Sequence, residues 1–468
     1  MMIFCAAIAG CGGLSQYGSL PQNNGNSSVV LAMTDSPPSL VSILSAQVTL
    51  TGATLTPGNI SLFSGSTTVD LMRLQTDIAY LSTAANIPAG NYTAVTLTFA
   101  NPKLTIENDM AITIAGCSVA SICQIVPTAA PMSATIPLSG FSIVSNSSIG
   151  LLIDVNLDNL LTTSLGEDFG VGTSVTPFTP AGTGAPPVGA EDVVGQVGNI
   201  NAANDTFTLT NASASYSLRV DTTSTFFQFP TTACSAPGFA CLQNNQIVSV
   251  DIGIQSNGSI LARNIVFEDA DSNDTEVEGM ITSTNVGSRQ FSIVIQSMSA
   301  SVSGLSIGQP VTVEYSTSPQ TPFDVDLVHV DFQMNATNFP STFAAPADLV
   351  PGQQVSMRRN SGSTASLILA DRVRLRSSRI SATVLSVGSS IITIGQNSSL
   401  PSLFFGHGGV TQIMAQTSTS PPTIYFEVNG SVSASTNFQN QPVSVRGPLF
   451  NTGGTNRTLV ATKVVLKQ

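Results

Sequence analysis

Apolar and polar residues alternate along most of the chain with a period of two. The runs Val48-Thr49-Leu50-Thr51 and Val95-Thr96-Leu97-Thr98-Phe99 show the pattern clearly. Such alternation predicts strands with one buried face. The sequences Pro57-Gly58 and Pro88-Ala89-Gly90-Asn91 are typical of turns between such strands. The pattern therefore favours an all-β fold.

Helical periodicity is restricted to two segments, residues 72–85 and 155–165, for which the sequence predicts short helices. Residues 29–180 otherwise alternate as strands, and we expect them to form one β-sandwich domain. The Pro- and Gly-rich residues 181–188 then predict an extended linker.

The remaining chain repeats itself three times. The segments Gln246-Ile247-Val248-Ser249, Gln353-Gln354-Val355-Ser356 and Gln441-Pro442-Val443-Ser444 share a Q-x-V-S core, and each lies between an opening and a closing strand pattern. Self-similarity in a fixed order is typical of duplicated domains. We predict β-barrel repeats over residues 189–272, 273–376 and 377–468. Chains of this length bury a core of their own, so residues 189–272 and 377–468 are each expected to fold independently. The middle repeat carries an insert, residues 316–346, that is expected to pack on a neighbour.

A resemblance to known families extends this picture. Val30-Leu31-Ala32-Met33-Thr34-Asp35-Ser36-Pro37 resembles the V-x-L-T-D-A-P opening of an uncharacterised domain near the N-terminus of many bacterial lipoproteins, and residues 48–52, 87–93 and 151–154 continue the likeness. The repeats resemble bacterial domains shaped like small OB-type barrels. The resemblance implies an N-terminal β-sandwich followed by three small OB-like β-barrel repeats. It implies a location in the envelope but no chemistry.

A short apolar run, residues 1–10, ends in Ile8-Ala9-Gly10 and is followed by Cys11. A bilayer-spanning helix needs ~20 apolar residues, so the run is typical of a signal-peptide h-region. It resembles the lipobox of bacterial lipoproteins, which implies lipidation of Cys11. Gly12 replaces the Asp of inner-membrane retention and implies the outer membrane. A buried strand with a chance cysteine is the alternative.

Residues 11–28 are rich in Gly, Ser and Asn and predict a lipidated, flexible tether. No Lys or Arg precedes the apolar run, so we expect the natural chain to begin further upstream.

The composition of the chain agrees with a location in the cell envelope, outside the cytoplasm. Charged residues are 9% of the chain, where ~25% is usual, and the net charge is −12. Phosphate binding needs a basic surface, so a nucleic-acid partner is disfavoured.

Four cysteines besides Cys5 and Cys11 form two local pairs. Cys117 lies six residues before Cys123, and Cys234 lies seven before Cys241. The spacing favours two small disulfide loops of an oxidising compartment. A zinc site is the alternative, but zinc usually requires Cys-x-x-Cys spacing, which is absent from the sequence.

Catalysis finds little support in the sequence. G-x-S-x-G, H-E-x-x-H and Walker-type motifs are all absent. The two histidines are His329 and His407, and the latter lies in a Gly-rich turn. We therefore expect a protein that is not an enzyme and that uses no cofactor.

The acidic segment 268–276 holds the best metal candidate. Asp269, Asp271 and Asn273 alternate like the first ligands of a calcium loop. Asp274 stands at the position of the required Gly, however, and Met280 at that of the required Glu. An acidic linker between repeats is the preferred interpretation, and no metal site is predicted.

Arg372, Arg374 and Arg376 alternate and are expected on one strand face. One hypothesis is an anion-binding face for a glycan, a lipid head group or an acidic partner. The alternative is a solvated face whose charges discourage edge pairing.

Taken together, the sequence predicts a non-enzymatic, lipid-anchored envelope protein with a structural or adhesive role. The other hypothesis is a surface module that binds a glycan or an anionic ligand. The implied partners are the membrane, through the N-terminal lipid, and a glycan or envelope protein. The sequence indicates no oligomeric state.

Overall fold

The computed structural model describes residues 27–36, 42–108, 112–128, 132–162, 165–180, 193–211, 215–255, 259–269, 275–299, 302–327, 339–387, 391–395, 412–415, 424–427, 430–431, 439–453 and 456–466. Strands account for 65% of the structure and helices for 6%, which confirms the predicted all-β fold class. No helix in these ranges is long and apolar enough to cross a membrane.

The N-terminal unit, here called the sandwich, consists of two packed sheets. Its strands are β1 (Ser27–Ser36), β2 (Ser42–Thr56), β3 (Ile60–Asp70), β4 (Ala79–Ile87), β5 (Gly90–Glu107), β6 (Ile122–Ile125), β7 (Ser133–Ile143), β8 (Ser148–Asn156) and β9 (Thr173–Phe178). One sheet has the order β4-β1-β8-β9, and the other has β3-β2-β5-β6 with β7 also on β5. Leu31, Leu151, Leu50 and Leu97 are buried in the core that both sheets share.

The prediction of a helix over residues 72–85 is wrong. Only a short 3-10 turn, Leu71–Gln75, is present before the chain enters β4. Pairing of β4 with β1 overrides the helical preference of its Ala and Leu residues. The second predicted helix is reduced to α1 (Leu157–Leu160), followed after a loop by α2 (Phe169–Gly172).

Three further sheets follow, here called barrels 1, 2 and 3. Barrel 1 contains β10 (Val193–Asn201), β11 (Thr206–Thr210), β12 (Ser215–Val220), β13 (Phe226–Gln228), β14 (Ile247–Ile254) and β15 (Ile260–Asp269). Barrel 2 contains β16 (Thr275–Asn285), β17 (Gln290–Met298), β18 (Pro310–Tyr315), β19 (Phe323–Val325), β20 (Gln354–Arg359) and β21 (Leu367–Leu375). Barrel 3 contains β22 (Ser377–Val387), β23 (Ile391–Gly395), β24 (Gln412–Ala415), β25 (Ile424–Glu427), β26 (Gly430–Ser431), β27 (Pro442–Gly453), β28 (Asn456–Ala461) and β29 (Lys463–Leu466).

The three barrels share one strand order. In barrel 1 five strands close a ring, β12-β11-β10-β14-β15, through the parallel pair β12–β15. Barrel 2 closes in the same way through β18–β21, and the ring of barrel 3 contains the equivalent parallel pair β24–β28. In each, a short extra strand runs parallel to the end of the closing strand. The sequence repeat therefore corresponds to a repeated topology.

The Q-x-V-S motif has a structural explanation in this topology. The Gln246 side chain accepts a hydrogen bond from the Gln243 amide at 2.8 Å and donates to the Cys241 carbonyl at 3.2 Å. Gln353 repeats the arrangement with the Val350 amide at 2.8 Å and the Asp348 carbonyl at 3.1 Å. A glutamine at this position thus stabilises, by two side-chain hydrogen bonds, the turn that leads into β14 in barrel 1 and into β20 in barrel 2.

The four units share apolar interfaces. Strand β1 is apolar on both faces: Leu31 and Met33 point into the sandwich, whereas Val30 and Ala32 pack with the core of barrel 1. Strands buried on both faces are typically continuous apolar runs. Phe450 of barrel 3 lies in the core cluster of barrel 2. Independent folding of each repeat stays a prediction, and these shared cores argue against it.

Both predicted cysteine pairs are bonded. Cys117–Cys123 joins the loop after β5 to β6, and Cys234–Cys241 closes a loop between β13 and β14. The Cα atoms of each pair are 5.8 Å apart, as is usual for disulfides.

We expect the units to unfold together because they share cores. Phe450 is 0% exposed and packs against the ring of Phe339, with ring centroids 4.8 Å apart and the planes tilted by 36°. Phe450→Ala is expected to lower the free energy of unfolding of the whole protein by about 3–5 kcal/mol. Phe226→Ala, at a phenylalanine that is 69% exposed, should change it by less than about 0.5 kcal/mol. Urea denaturation followed by fluorescence and circular dichroism measures both. Separate transitions, with only one shifted by Phe450→Ala, would contradict the shared interfaces.

Candidate functional site at the junction of the units

Among the described residues, most of the buried charged side chains lie where the units meet. The chain has 15 Lys and Arg residues in total. In the part of the chain that the structure describes, ion pairs with a carboxylate of a different unit include those of Arg73, Arg374, Arg376, Arg379, Arg446 and Lys463. The junction therefore concentrates cations in a chain that is poor in charge.

Asp77 of the sandwich is the first of two carboxylates around which the cations of this junction cluster; we call each of them a centre. It follows the 3-10 turn and is 6% exposed. Arg379 donates to it from Nη2 at 2.7 Å and from Nε at 3.1 Å, Arg446 Nη1 lies at 3.2 Å and Lys463 Nζ at 3.5 Å. Burial raises the pKa of Asp77, but the charges of Arg379, Arg446 and Lys463 outweigh it and hold the pKa well below its usual range. Asp77 therefore ties barrel 3 to the sandwich as a carboxylate.

Glu268 at the end of barrel 1 is the second centre. Arg374 Nη1 lies 2.7 Å from Glu268 Oε2, and Arg376 Nη2 lies 2.9 Å from Oε1. Asp326 Oδ2 lies 3.4 Å from Arg374 Nη1 and 3.2 Å from Arg376 Nη1, so the same two guanidinium groups also contact this carboxylate. Arg376 is 1% exposed. Barrels 1 and 2 are thus joined by two guanidinium groups held between two carboxylates.

These contacts correct the expectation of an accessible arginine face. The structure places Arg372 and Arg374 on one face of β21, but β19 runs parallel beside it and pairs Asp324 with Arg374 in register. Arg372 forms an ion pair with Asp324. Carboxylates of the chain itself thus occupy the places that an external anion would take. The signal that sequence reasoning missed is the alternation Asp324-Val325-Asp326, which matches the arginine alternation.

Two further carboxylates lie on β16. Glu278 accepts a hydrogen bond from Gln354 Nε2 at 2.9 Å, and its Oε2 lies 3.6 Å from Arg73 Nη2 of the sandwich. Burial raises the pKa of Glu278, but the charges of Arg73, Arg376 and Arg379 outweigh it and the pKa is lowered. The charge of Glu278 is therefore stabilised both by Arg379, which pairs with Asp77, and by Arg376, which pairs with Glu268.

Glu276 behaves in the opposite way. Burial and the charge of Glu268 raise the pKa of Glu276 to about 7, against the opposing charges of Arg374 and Arg376. The carboxylates of Glu268 and Asp326 bind the guanidinium groups of Arg374 and Arg376 directly. Burial beside the charge of Glu268 therefore favours the protonated form of Glu276 over its carboxylate.

A cavity of about 100 Å³ opens beside this network. Its walls come from three units: Arg73 and Leu74 of the sandwich, Tyr216 of barrel 1, and Gln296 and Ser297 of barrel 2. The backbone of barrels 1 and 2 also meets here through an isolated bridge between Asn211 and Ser299. Pockets commonly form at such interfaces between domains.

The remaining predicted sites fall largely outside the described residues. Cys11, Asp271, Asn273 and the two histidines lie outside them, and Asp269 is the last residue of β15. Among the described residues no group of three His, Cys, Asp or Glu is placed to hold a metal ion. The calcium alternative and the lipid anchor therefore stay predictions.

Comparison with known proteins gives one family match. A model described as a domain of unknown function (DUF4382) matches residues 26–184, which confirms the expected uncharacterised domain over the sandwich. No curated protein matches. A solved structure described as drosophila Unr CSD456 matches at 10% identity, over 59% of this chain and 96% of its own. Its TM-score is 0.13, too low to support a conclusion.

Two arginines of the predicted face make a matched test of the junction. Arg376→Gln removes a buried guanidinium from Glu268 and Asp326 and is expected to lower the free energy of unfolding by about 3–5 kcal/mol. Arg372→Gln breaks a half-exposed ion pair and should lower it by less than about 1 kcal/mol. Urea denaturation at constant salt compares the two variants. Equal effects would show that the buried contacts do not join the barrels.

The raised pKa of Glu276 predicts how stability depends on pH. A glutamate of the unfolded chain titrates near pH ~4.3, so between there and pH 7 the folded state holds a proton that the unfolded state has lost. The free energy of unfolding should therefore fall as pH rises through this window, by on the order of 1–3 kcal/mol. Glu276→Gln should lose that part of the decline.

Unfolding titrations between pH 4.5 and 8.5 would measure this slope. Burial raises the pKa of Glu167 to about 8, so a residual decline from Glu167 should persist in the Glu276→Gln variant. Glu314→Gln, at a half-buried position of the same barrel, is the matched control and should retain the wild-type slope. A Glu276→Gln slope identical to that of the control would contradict the prediction.

Proposed function

We propose that this protein is a non-enzymatic, lipid-anchored component of a bacterial cell envelope that acts as a structural or adhesive element. Its body holds the sandwich and three barrels in one fixed arrangement. The observation that carries the proposal is the buried ion network between the units. Asp77 joins the first unit to the last, and Glu268 joins the two barrels between them.

Such a network suits a scaffold for a physical reason. Buried ion pairs add little net stability compared with apolar contacts, but they are strongly unfavourable when a partner is missing. They therefore favour one relative orientation of the units over others. A body that presents surfaces to an envelope partner or a glycan needs this fixed geometry more than it needs mobile units.

The same groups are poorly placed for catalysis. Glu276 has a pKa suited to proton transfer, but its side chain is 8% exposed and lies among charges of the chain itself. The other carboxylates of the junction are bound to guanidinium groups. Their geometry supports a role in holding the units together.

Three sequence features support the envelope location. The lipobox-like segment ends at Cys11, and Gly12 favours the outer membrane. Strand β1 begins at Ser27, so the last two residues of the predicted tether, residues 11–28, belong to the body. The two disulfides are typical of an oxidising compartment. We infer a protein tethered to the membrane by its N-terminal lipid, with the sandwich as the first unit after the tether and OB-like barrels after it.

Lipidation of Cys11 is tested by expressing the full natural gene in a Gram-negative host. Wild type should incorporate labelled fatty acid and partition into detergent, because the diacylglyceryl group provides the apolar anchor. Cys11→Ser should remain unlabelled and partition into the aqueous phase. Cys5→Ser, which changes the other cysteine of the leader, is the control and should behave as wild type. Aqueous partitioning of both wild type and Cys11→Ser would overturn the anchor.

A further inference from the structure

We propose that the outer face of barrel 1 binds a neutral pyranose unit of a glycan. The surface consists of Phe226 and Gln228 on β13, Asn264 on β15 and Asp251 on β14, and we call it the amide face. Three of its four side chains are uncharged, in contrast to the buried ion network between the units. The proposal rests on the adhesive role proposed above only for its biological meaning, because sugar binding by the body needs no membrane anchor.

The strand β13 turns one phenylalanine away from the core. Phe227 packs against the core of barrel 1 and Phe229 belongs to it, so Phe226 and Gln228 lie on the outer side of the strand. Phe226 is 69% exposed. Most of its ring is therefore available to pack against a ligand.

Three polar side chains form a hydrogen-bonded row beside this ring. In the parallel pairing of β13 with β15, Phe226 stands opposite Asn264. Gln228 Nε2 donates to Asn264 Oδ1 at 3.1 Å, and Asn264 Nδ2 donates to Asp251 Oδ2 at 3.4 Å. These bonds fix the orientation of both amides. Within the described part of the chain, Gln228 Oε1 has no hydrogen-bond partner, and each amide keeps a second N–H.

Barrel 2 provides an internal comparison for this surface. The Thr225 hydroxyl donates to the Ala262 carbonyl of β15 at 2.6 Å, and the Thr321 hydroxyl donates to the Ala370 carbonyl of β21 at 3.0 Å. Both threonines directly precede the residues that run parallel to the closing strand. The positions that follow them in the two barrels are therefore equivalent.

The four positions of the amide face have a different chemistry in barrel 2. The replacements are Pro322 for Phe226, Asp324 for Gln228, Arg372 for Asn264 and Arg358 for Asp251. Arg372 and Asp324 form an ion pair with each other. In barrel 2 charge thus satisfies the row internally, and a proline stands at the position of the exposed ring. Barrel 1 alone of these two combines an exposed ring with neutral amides.

A pyranose matches the ring and the amides together. The C–H groups on one face of a pyranose carry partial positive charge and pack on the negative face of an aromatic ring. Neighbouring hydroxyls of the sugar both donate and accept, so they can bond the carbonyl and the N–H of a single amide. Gln228 offers both groups next to Phe226. Sites for small molecules likewise combine apolar surface with a few fixed polar groups.

The charges around the amide face favour a neutral sugar. Asp251 supplies one carboxylate at the end of the row. Arg263 supplies one guanidinium on the same side of the sheet, because its aliphatic carbons lie over Gly253, where an added Cβ atom would come within 2.8 Å of Arg263 Cδ. One charge of each sign leaves no net attraction for an acidic sugar.

A glycan array probed with the labelled full-length chain tests the proposal. The array carries neutral glycans (glucans, mannans and N-acetylglucosamine oligomers) and acidic glycans with uronic or sialic acids. At least one neutral glycan should bind saturably, because display in many copies raises a weak single-site affinity. Binding to acidic glycans alone would overturn the assignment to a neutral sugar, and so would the absence of saturable binding across the array.

Variants locate the binding, measured by isothermal titration calorimetry with the soluble neutral oligosaccharide that binds best. Phe226→Ala should weaken binding about three- to tenfold, because the stacking surface is lost. Gln228→Ala should weaken it about two- to tenfold. Two controls in barrel 2 should leave the affinity unchanged: Val286→Ala, at an apolar side chain that is 54% exposed, and Arg372→Gln, in the equivalent row.

These variants separate the proposal from a general effect of exposed apolar side chains. Unchanged affinity in Phe226→Ala, or an equal loss in Val286→Ala, would place the glycan elsewhere and overturn the proposal. The fixed arrangement of the units is tested by Arg376→Gln and the anchor by Cys11→Ser. A failure of glycan binding is therefore distinguishable from a failure of the proposed function.

Discussion

The arrangement of this molecule depends on one buried carboxylate. Asp77 is almost enclosed, and its charge is matched by cations that lie 302, 369 and 386 residues away in the chain. In a buried setting an isolated charge is strongly unfavourable, whereas one surrounded by guanidinium groups is tolerated. The sandwich can therefore bury this corner only with barrel 3 in place. Glu268 imposes the same condition between barrels 1 and 2.

Local signals in the sequence were sufficient for the fold class. Alternation predicted the strands, and close cysteine spacing predicted both disulfides. Two copies of the Q-x-V-S repeat, at Gln246 and Gln353, stabilise equivalent turns. Each of these signals is local, because it depends on the pleat of a strand or the closure of a short loop. The error at residues 72–85 has the opposite origin, since β4 is a strand only because β1 lies beside it.

The junction was much harder to predict. Alternation placed Arg372 and Arg374 on one face correctly, but it carries no information on what covers that face. Asp324 and Asp326 could have been found as a matching ladder, once β19 was known to run parallel to β21. The partners of Asp77 had no such signal, because contacts between distant segments leave no period in a single sequence. The apolar run of β1 does indicate one such contact, because a strand that is apolar on both faces needs a packed neighbour on each face.

The two-faced strand β1 has a consequence for how the chain matures. It precedes barrel 1 in the chain, so Val30 and Ala32 are synthesised before the strands that cover them. The closing contact with Asp77 comes from Lys463, almost the last residue. Folding therefore finishes only after the final strands arrive, and contacts this distant in sequence form slowly. An incomplete chain leaves the apolar face of β1 and the carboxylate of Asp77 exposed to solvent. Proteases and chaperones that recognise such surfaces can thereby distinguish truncated copies from finished ones.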